Sequence, residues 1–136
     1  DVYKRQGGED MFLECLTVGA GGFFGSALRY LMGMIPVLNK VDFPFHTMLI
    51  NILGAVIIGM MVKFSDSWEA MSGYNLLLLK AGFCGGFTTF STFALESAEM
   101  IEAGRIAETV AYAALSVLLC IGGVYIGKYL AGAIGI

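Results

Sequence analysis

Apolar residues run along this chain in four long blocks, 11–35, 45–64, 76–101 and 106–134, separated by short segments that carry Pro, Asp, Ser, Asn and Glu. Each block holds the roughly 20 residues with which a helix crosses about 30 Å of hydrocarbon. The pattern predicts four transmembrane helices. The connectors 36–44, 65–75 and 102–105 hold turn or interface residues, the lone Trp68 among them, and leave no room for a soluble domain. The expected class is an all-α integral membrane protein, with residues 11–136 as one four-helix membrane domain. Residues 1–10 are polar and lack the apolar core of a signal peptide. They read as a disordered or non-native lead ahead of Met11.

The third block is not uniform. Residues 85–93 read Gly-Gly-Phe-Thr-Thr-Phe-Ser-Thr-Phe, a glycine-opened polar run inside an apolar stretch. Glycine pairs and clustered hydroxyls weaken a helix, and a freed backbone group in hydrocarbon costs several kcal/mol. Broken backbone at this depth survives only where protein or a water-filled path satisfies it. The expectation is a third helix broken mid-membrane at Gly85, and with it a transport or ion site.

Polar residues of the other spans fall on stripes. Thr47 and Asn51 are four apart in the second span, Tyr112, Ser116 and Cys120 repeat that spacing in the fourth, and Thr92 and Glu96 continue it after the break. Asn51 alone fits interhelical hydrogen bonding equally well. With the other two stripes it belongs to a continuous hydrogen-bonding track. Phe90 and Phe93, three apart, share a face of the half-helix after the break. Ring edges are positive and faces negative, so edges, hydroxyls and one amide, with no Lys or Arg at the centre, favour a small anion held lightly enough to leave. The residue chemistry does not name that anion.

Composition narrows the class without naming a function. Hydrophobic residues make up 57% and charged residues 14% of 136, far from the roughly 25% charge of soluble domains. Cys15, Cys84 and Cys120 are widely spaced in apolar segments, which fits neither a disulfide framework nor a zinc motif. His46 stands alone at a helix entrance as an interfacial polar residue. The net charge of −3 comes mainly from flanks and loops and gives no sign of a nucleic-acid partner.

Basic residues do not choose a side of the membrane. Lys63 and Lys128, with Lys4 and Arg5, fall on one face, and Lys40 and Arg105 on the other with Arg29 nearby. Orientation follows Lys/Arg bias in short loops, so the chain is expected to insert both ways up and pair as an antiparallel dual-topology homodimer. Four helices barely enclose a polar path, whereas eight can, and twofold pairs are the commonest small assemblies. Gly21 and Gly25 form a small-xxx-small contact face in the first span. Arg29, toward the far end of that span, fits either an interfacial anchor or an anion-attracting vestibule residue.

The run 85–93, together with Gly25-Ser26-Ala27-Leu28-Arg29-Tyr30 and Thr47-Met48-Leu49-Ile50-Asn51, resembles the Fluc (CrcB) family of fluoride channels, and the likeness extends from Met11 onward. The resemblance implies a fluoride-selective channel in the cell inner (plasma) membrane, built as an antiparallel homodimer, that exports fluoride passively and gives fluoride resistance. By the same likeness Phe90 and Phe93 contact permeating fluoride, and Asn51 is the pore asparagine. Ser91, Thr92, Thr47, Glu96, Tyr112 and Ser116 belong to the polar track and its surroundings, and Arg29 to the vestibule. Gly85 and Thr88 would hold a structural sodium ion through backbone carbonyls from both subunits. No organic cofactor, catalytic group or nucleic acid is implied.

Carbonyls exposed by an unwound turn suit a hard cation, and glycine adopts angles closed to other residues. Glu96 sits awkwardly beside an anion path unless it is protonated or held by hydroxyls such as that of Thr92. Cys120 departs from the hydroxyl its stripe favours. Two rivals stand beside the channel. A small dual-topology proton-coupled drug exporter needs a carboxylate deep in the first span, where Glu14 is too shallow. A membrane scaffold leaves the broken third span unexplained.

Overall fold

The computed structural model describes residues 8–135, and the regular elements among them are helical. Helix α1 spans Gly8–Gly33, a 3-10 turn covers Pro36–Asn39, and α2 spans Phe45–Ser67. The third span is composite: α3 (Gly73–Leu77), a π-helical segment (Leu78–Cys84), α4 (Gly85–Phe87) and α5 (Phe90–Glu102). Helix α6 spans Ile106–Ile134. Four stretches, Asp10–Gly33, Phe45–Ser67, Gly73–Glu102 and Ile106–Ile134, are long and apolar enough to cross a membrane. They coincide with the four blocks of the sequence, and the chain is a multi-pass membrane protein. Residues 1–7 of the expected lead lie outside the described residues, and α1 is already helical at Gly8.

The ends of the spans have local causes. The N–H of Trp68 returns to the Phe64 carbonyl and closes α2, and its ring meets Phe64 edge-on. At the α5–α6 turn the N–H of Arg105 reaches the Met100 carbonyl and that of Gly104 the Ile101 carbonyl, with Gly104 at φ 78°. This left-handed cap needs glycine and reverses the chain in a few residues. Arg105 then bonds Asp42 and Glu108, tying the turn to the connector before α2.

Packing divides the third span. Its first half, the π-helical segment and α4, lies along α1, whereas α5 leans on α6, and α2 runs the length of α6. Close approach of main chains makes the first contact. A Cβ on Gly86 would stand 2.6 Å from the Gly22 carbonyl oxygen, and one on Gly25 would enter the Phe83 main chain. The predicted Gly21/Gly25 face is therefore a contact within the chain, against the third span. Core residues gather near the two ends of α2: Met48, Met100 and Tyr112 at one, Phe64, Met71 and Ala131 at the other. Phe23, Phe24, Leu118 and Tyr129 point outward, as helices in lipid require.

The break falls three residues later than the sequence reading placed it. Gly85 has φ −62° and ψ −39°, ordinary right-handed helix. The chain leaves the helix at Thr88 (φ −82°, ψ 157°) and Thr89 (φ −150°, ψ 115°). The glycine pair does not unwind here. Gly86 instead serves the contact with α1, and the departure is fixed by a side chain from α2.

Candidate functional site

That side chain is Asn51. The Thr89 N–H, which an uninterrupted helix would give to the Gly85 carbonyl, donates to Asn51 Oδ1 at 2.8 Å. Asn51 Nδ2 donates back to the Thr89 carbonyl at 3.1 Å. The amide thus replaces the helix acceptor that the Thr89 N–H has lost and adds a second donor to a carbonyl that already begins α5, which matters because unsatisfied backbone in hydrocarbon costs several kcal/mol. Thr89 also caps α5: its hydroxyl accepts from the Thr92 N–H at 3.1 Å and donates to Thr92 Oγ1 at 3.0 Å. Ser91 Oγ lies 3.2 Å from the same hydroxyl. On the other side of the break, Thr88 returns its N–H and its hydroxyl to the Cys84 carbonyl, and Arg29 Nε donates to the Gly86 carbonyl at 3.0 Å.

A second network joins three spans. Thr47 Oγ1 donates to Glu96 Oε1 at 2.5 Å, and the Tyr112 hydroxyl lies 3.4 Å from Glu96 Oε2. Thr47 and Tyr112 are almost wholly buried. His46 Nε2 lies 3.3 Å from the Thr47 hydroxyl. The hydroxyls that hold Glu96 thus come from α2 and α6, and Thr92, suggested for that role by spacing, is engaged with Thr89. Tyr112 is set by aromatic contacts, 5.5 Å from Phe43 edge-on and 5.0 Å from Phe93.

Beside the break runs a groove of about 420 Å³ lined by Asn51, Gly85, Thr88, Thr89, Phe90, Phe93 and Ser116. The Phe90 and Phe93 rings lie 5.4 Å apart at 38°. Phe93 is half-buried, but Phe90 is 79% exposed at the groove's open side. Ser116 Oγ is buried and has no hydrogen-bond partner among the described residues. The Asn51 amide has two N–H donors; one goes to Thr89 and the second is left for the groove. Such a wall offers donors and ring edges and, among the described residues, no carboxylate, the chemistry of a weak anion path.

The remaining sequence-predicted residues divide between two neighbouring cavities. Arg29, Thr47 and Thr92 line one of about 250 Å³, together with His46 and Thr89. Glu96 lines one of about 470 Å³ with His46, Asp42, Glu99 and Arg105. Thr89 therefore belongs to the groove and to the first cavity, and His46 to both cavities. Ser91 stays on the exposed side of the break, and Tyr112 packs behind the phenylalanines.

Two residues escaped the sequence reading. Thr89 is the pivot of the break, and its signal was a threonine immediately before an apolar helical run, a common N-cap. Lys80 lines the groove as well; a lone basic residue inside an apolar span was its signal. Cys120, whose thiol departs from the hydroxyl its stripe favours, also lines the groove.

Gly85 and Thr88 offer main-chain oxygens, the ligand type a hard cation takes, and the Gly85 carbonyl has lost its helix donor to Asn51. Among the described residues no three His, Cys, Asp or Glu side chains gather as a metal site.

Residues 16–128 match the family described as CrcB-like protein, Camphor Resistance (CrcB). A relative from Methanococcus maripaludis, named fluoride-specific ion channel FluC, is 43% identical over 116 residues, covering 85% of this chain and 93% of its own. Relatives of the same name from Clostridium novyi and Methanocaldococcus jannaschii are 40% and 37% identical, covering 85% and 91% of this chain and 91% and 98% of theirs. With four membrane-crossing helices and a side-chain-clamped break in the third, the chain belongs to the CrcB-like protein family.

Proposed function

We propose that this chain is a fluoride-specific ion channel: it conducts fluoride passively across the membrane and performs no enzymatic chemistry. The observation that carries the reading is the groove at the clamped break, where the Phe90 and Phe93 rings, the second Asn51 N–H and the unpartnered Ser116 hydroxyl meet. Fluoride is small and strongly hydrated, so it enters a narrow path only where donors replace water. A hydroxyl, an amide hydrogen and ring edges are weak donors, so the ion also leaves. The names of the relatives from three organisms point to the same ion.

The pore is completed, in this proposal, by a second copy inserted the other way up. One chain leaves the groove open with Phe90 on its exposed side, and the basic residues favour neither orientation. Antiparallel pairing would cover both grooves and yield two pores. The Gly85 and Thr88 carbonyls of the two copies would hold one structural sodium ion, which would satisfy carbonyl oxygens that the break leaves without helix donors. Passive exit of fluoride through such a pore would protect the cell that carries it, which places the protein in the plasma membrane.

The test is flux. Purified chain reconstituted in liposomes should release fluoride, read by a fluoride electrode, and retain chloride under the same gradient. Chloride release at a comparable rate, or retention of fluoride, overturns the reading. Tags on either terminus should be reached from both faces of the membrane; access from one face alone removes the antiparallel pair.

A further inference from the structure

Among the described residues Lys80 is the one charged residue lining the groove, and it is the one basic residue of the third span, Gly73–Glu102. It lies in the π-helical segment, Leu78–Cys84, whose wide turn alters the direction in which side chains leave the helix. It also lines a wider cleft of about 720 Å³ with Asp10, Glu14, Gly73 and Tyr74. Asp10 and Gly73 begin the first and third spans, so this cleft opens at the membrane surface. Ile58, Lys80 and Ala81 line both cavities. The wide cleft and the narrow groove are therefore neighbours, with Lys80 on the boundary of both.

We propose that Lys80 is the anion-recruiting residue at the groove mouth, drawing fluoride from the surface cleft toward Asn51, Ser116 and the phenylalanines. The inference rests on the fluoride-channel reading above. A charge at the narrowing of a low-dielectric cleft focuses field lines and raises the local concentration of the opposite ion. Among the described residues that line the cleft and the groove, Lys80 is the one basic side chain. An ammonium on a flexible four-carbon stem acts on an anion as a point charge. Lys80 sits at the end of the groove away from Arg29, which lines a different cavity. A groove with Lys80 at its mouth has a cationic entrance of its own.

The experiment measures fluoride flux from liposomes for the native chain, Lys80→Met, Lys80→Gln and Lys80→Arg, each at low and high ionic strength. Between 0.01 M and 1 M salt the screening length falls from roughly 30 Å to about 3 Å. Removing the charge should lower flux about three- to tenfold at low ionic strength and raise the half-saturating fluoride concentration. The maximal rate should change little. The deficit should shrink at high salt, and Lys80→Arg should recover most of the lost flux. Equal flux for Lys80→Met and the native chain at low salt overturns the proposal, as does a deficit independent of salt that Lys80→Arg shares, which marks a packing role. Should Lys80→Met fail to reconstitute, the glutamine variant gives the same comparison. The native chain separates the two claims: fluoride flux there with no Lys80 effect removes this inference alone, and no fluoride flux removes the channel reading with it.

Discussion

Replacing Asn51 separates a clamp from a mere lining residue. In Asn51→Ala the Thr89 N–H and carbonyl lose bonds of 2.8 and 3.1 Å at once. The Thr89 carbonyl keeps its place at the start of α5, so the cost falls on the N–H, about 1–3 kcal/mol for a buried polar group left unsatisfied, the lower end applying where groove water reaches the peptide. Asn51→Asp is the sharper probe. An ionised carboxylate keeps the bond from the Thr89 N–H but sets an oxygen against the Thr89 carbonyl and a negative charge on the groove wall. The aspartate variant should therefore retain more of the stability than alanine and yet pass no fluoride. Unfolding free energy in mixed micelles and fluoride efflux from liposomes, measured on the same preparations, test both halves. An alanine variant as stable as the native chain would refute the clamp. An aspartate variant with native flux would remove Asn51 from the ion path.

Phe90→Ile should abolish or strongly slow fluoride efflux while the protein still assembles, because Phe90 is exposed on the groove and supports little packing; undiminished flux on the electrode would take its ring out of the path. Phe93→Ile should show the same loss of flux with an added cost of about 1 kcal/mol, since the ring also lies against Tyr112, and equal unfolding curves would deny that contact. Thr47→Val removes a donor to the Glu96 carboxylate and should destabilise the bundle by about 1.5–3 kcal/mol, checked by unfolding in micelles. Gly25→Leu forces a side chain into the Phe83 main chain; it should part α1 from the third span and abolish the folded species in size-exclusion chromatography.

The four spans were legible because hydrocarbon demands about 20 apolar residues in a row, and α6 begins and ends where its apolar block does. The break was legible as a composition but not as a position. Glycine permits unwinding without requiring it; at Gly86 its lack of a side chain is used for contact with Gly22. The decision lies with Asn51, 38 residues away from Thr89 along the chain. Helical spacing put Thr47, Asn51, Tyr112 and Ser116 on inward stripes, yet spacing within one helix cannot say which stripe meets which. That Glu96 faces Thr47 and Tyr112 follows from α5 leaning on α6 after the break. Lys80 carries little weight in the apolar pattern, because four leucines precede it directly and dominate the start of the span.

The exchange of neighbours at Thr88–Thr89 has a consequence for biosynthesis. As the polypeptide leaves the ribosome, α1, α2 and the third span enter the bilayer before α6, so the Asn51 amide can grip Thr89 while the last helix is still unmade. Tyr112 and Ser116 arrive only with that final segment. A nascent chain stopped short of it would already be kinked, with α5 lacking its mate and Glu96 lacking the phenol, and the ion route would be finished last.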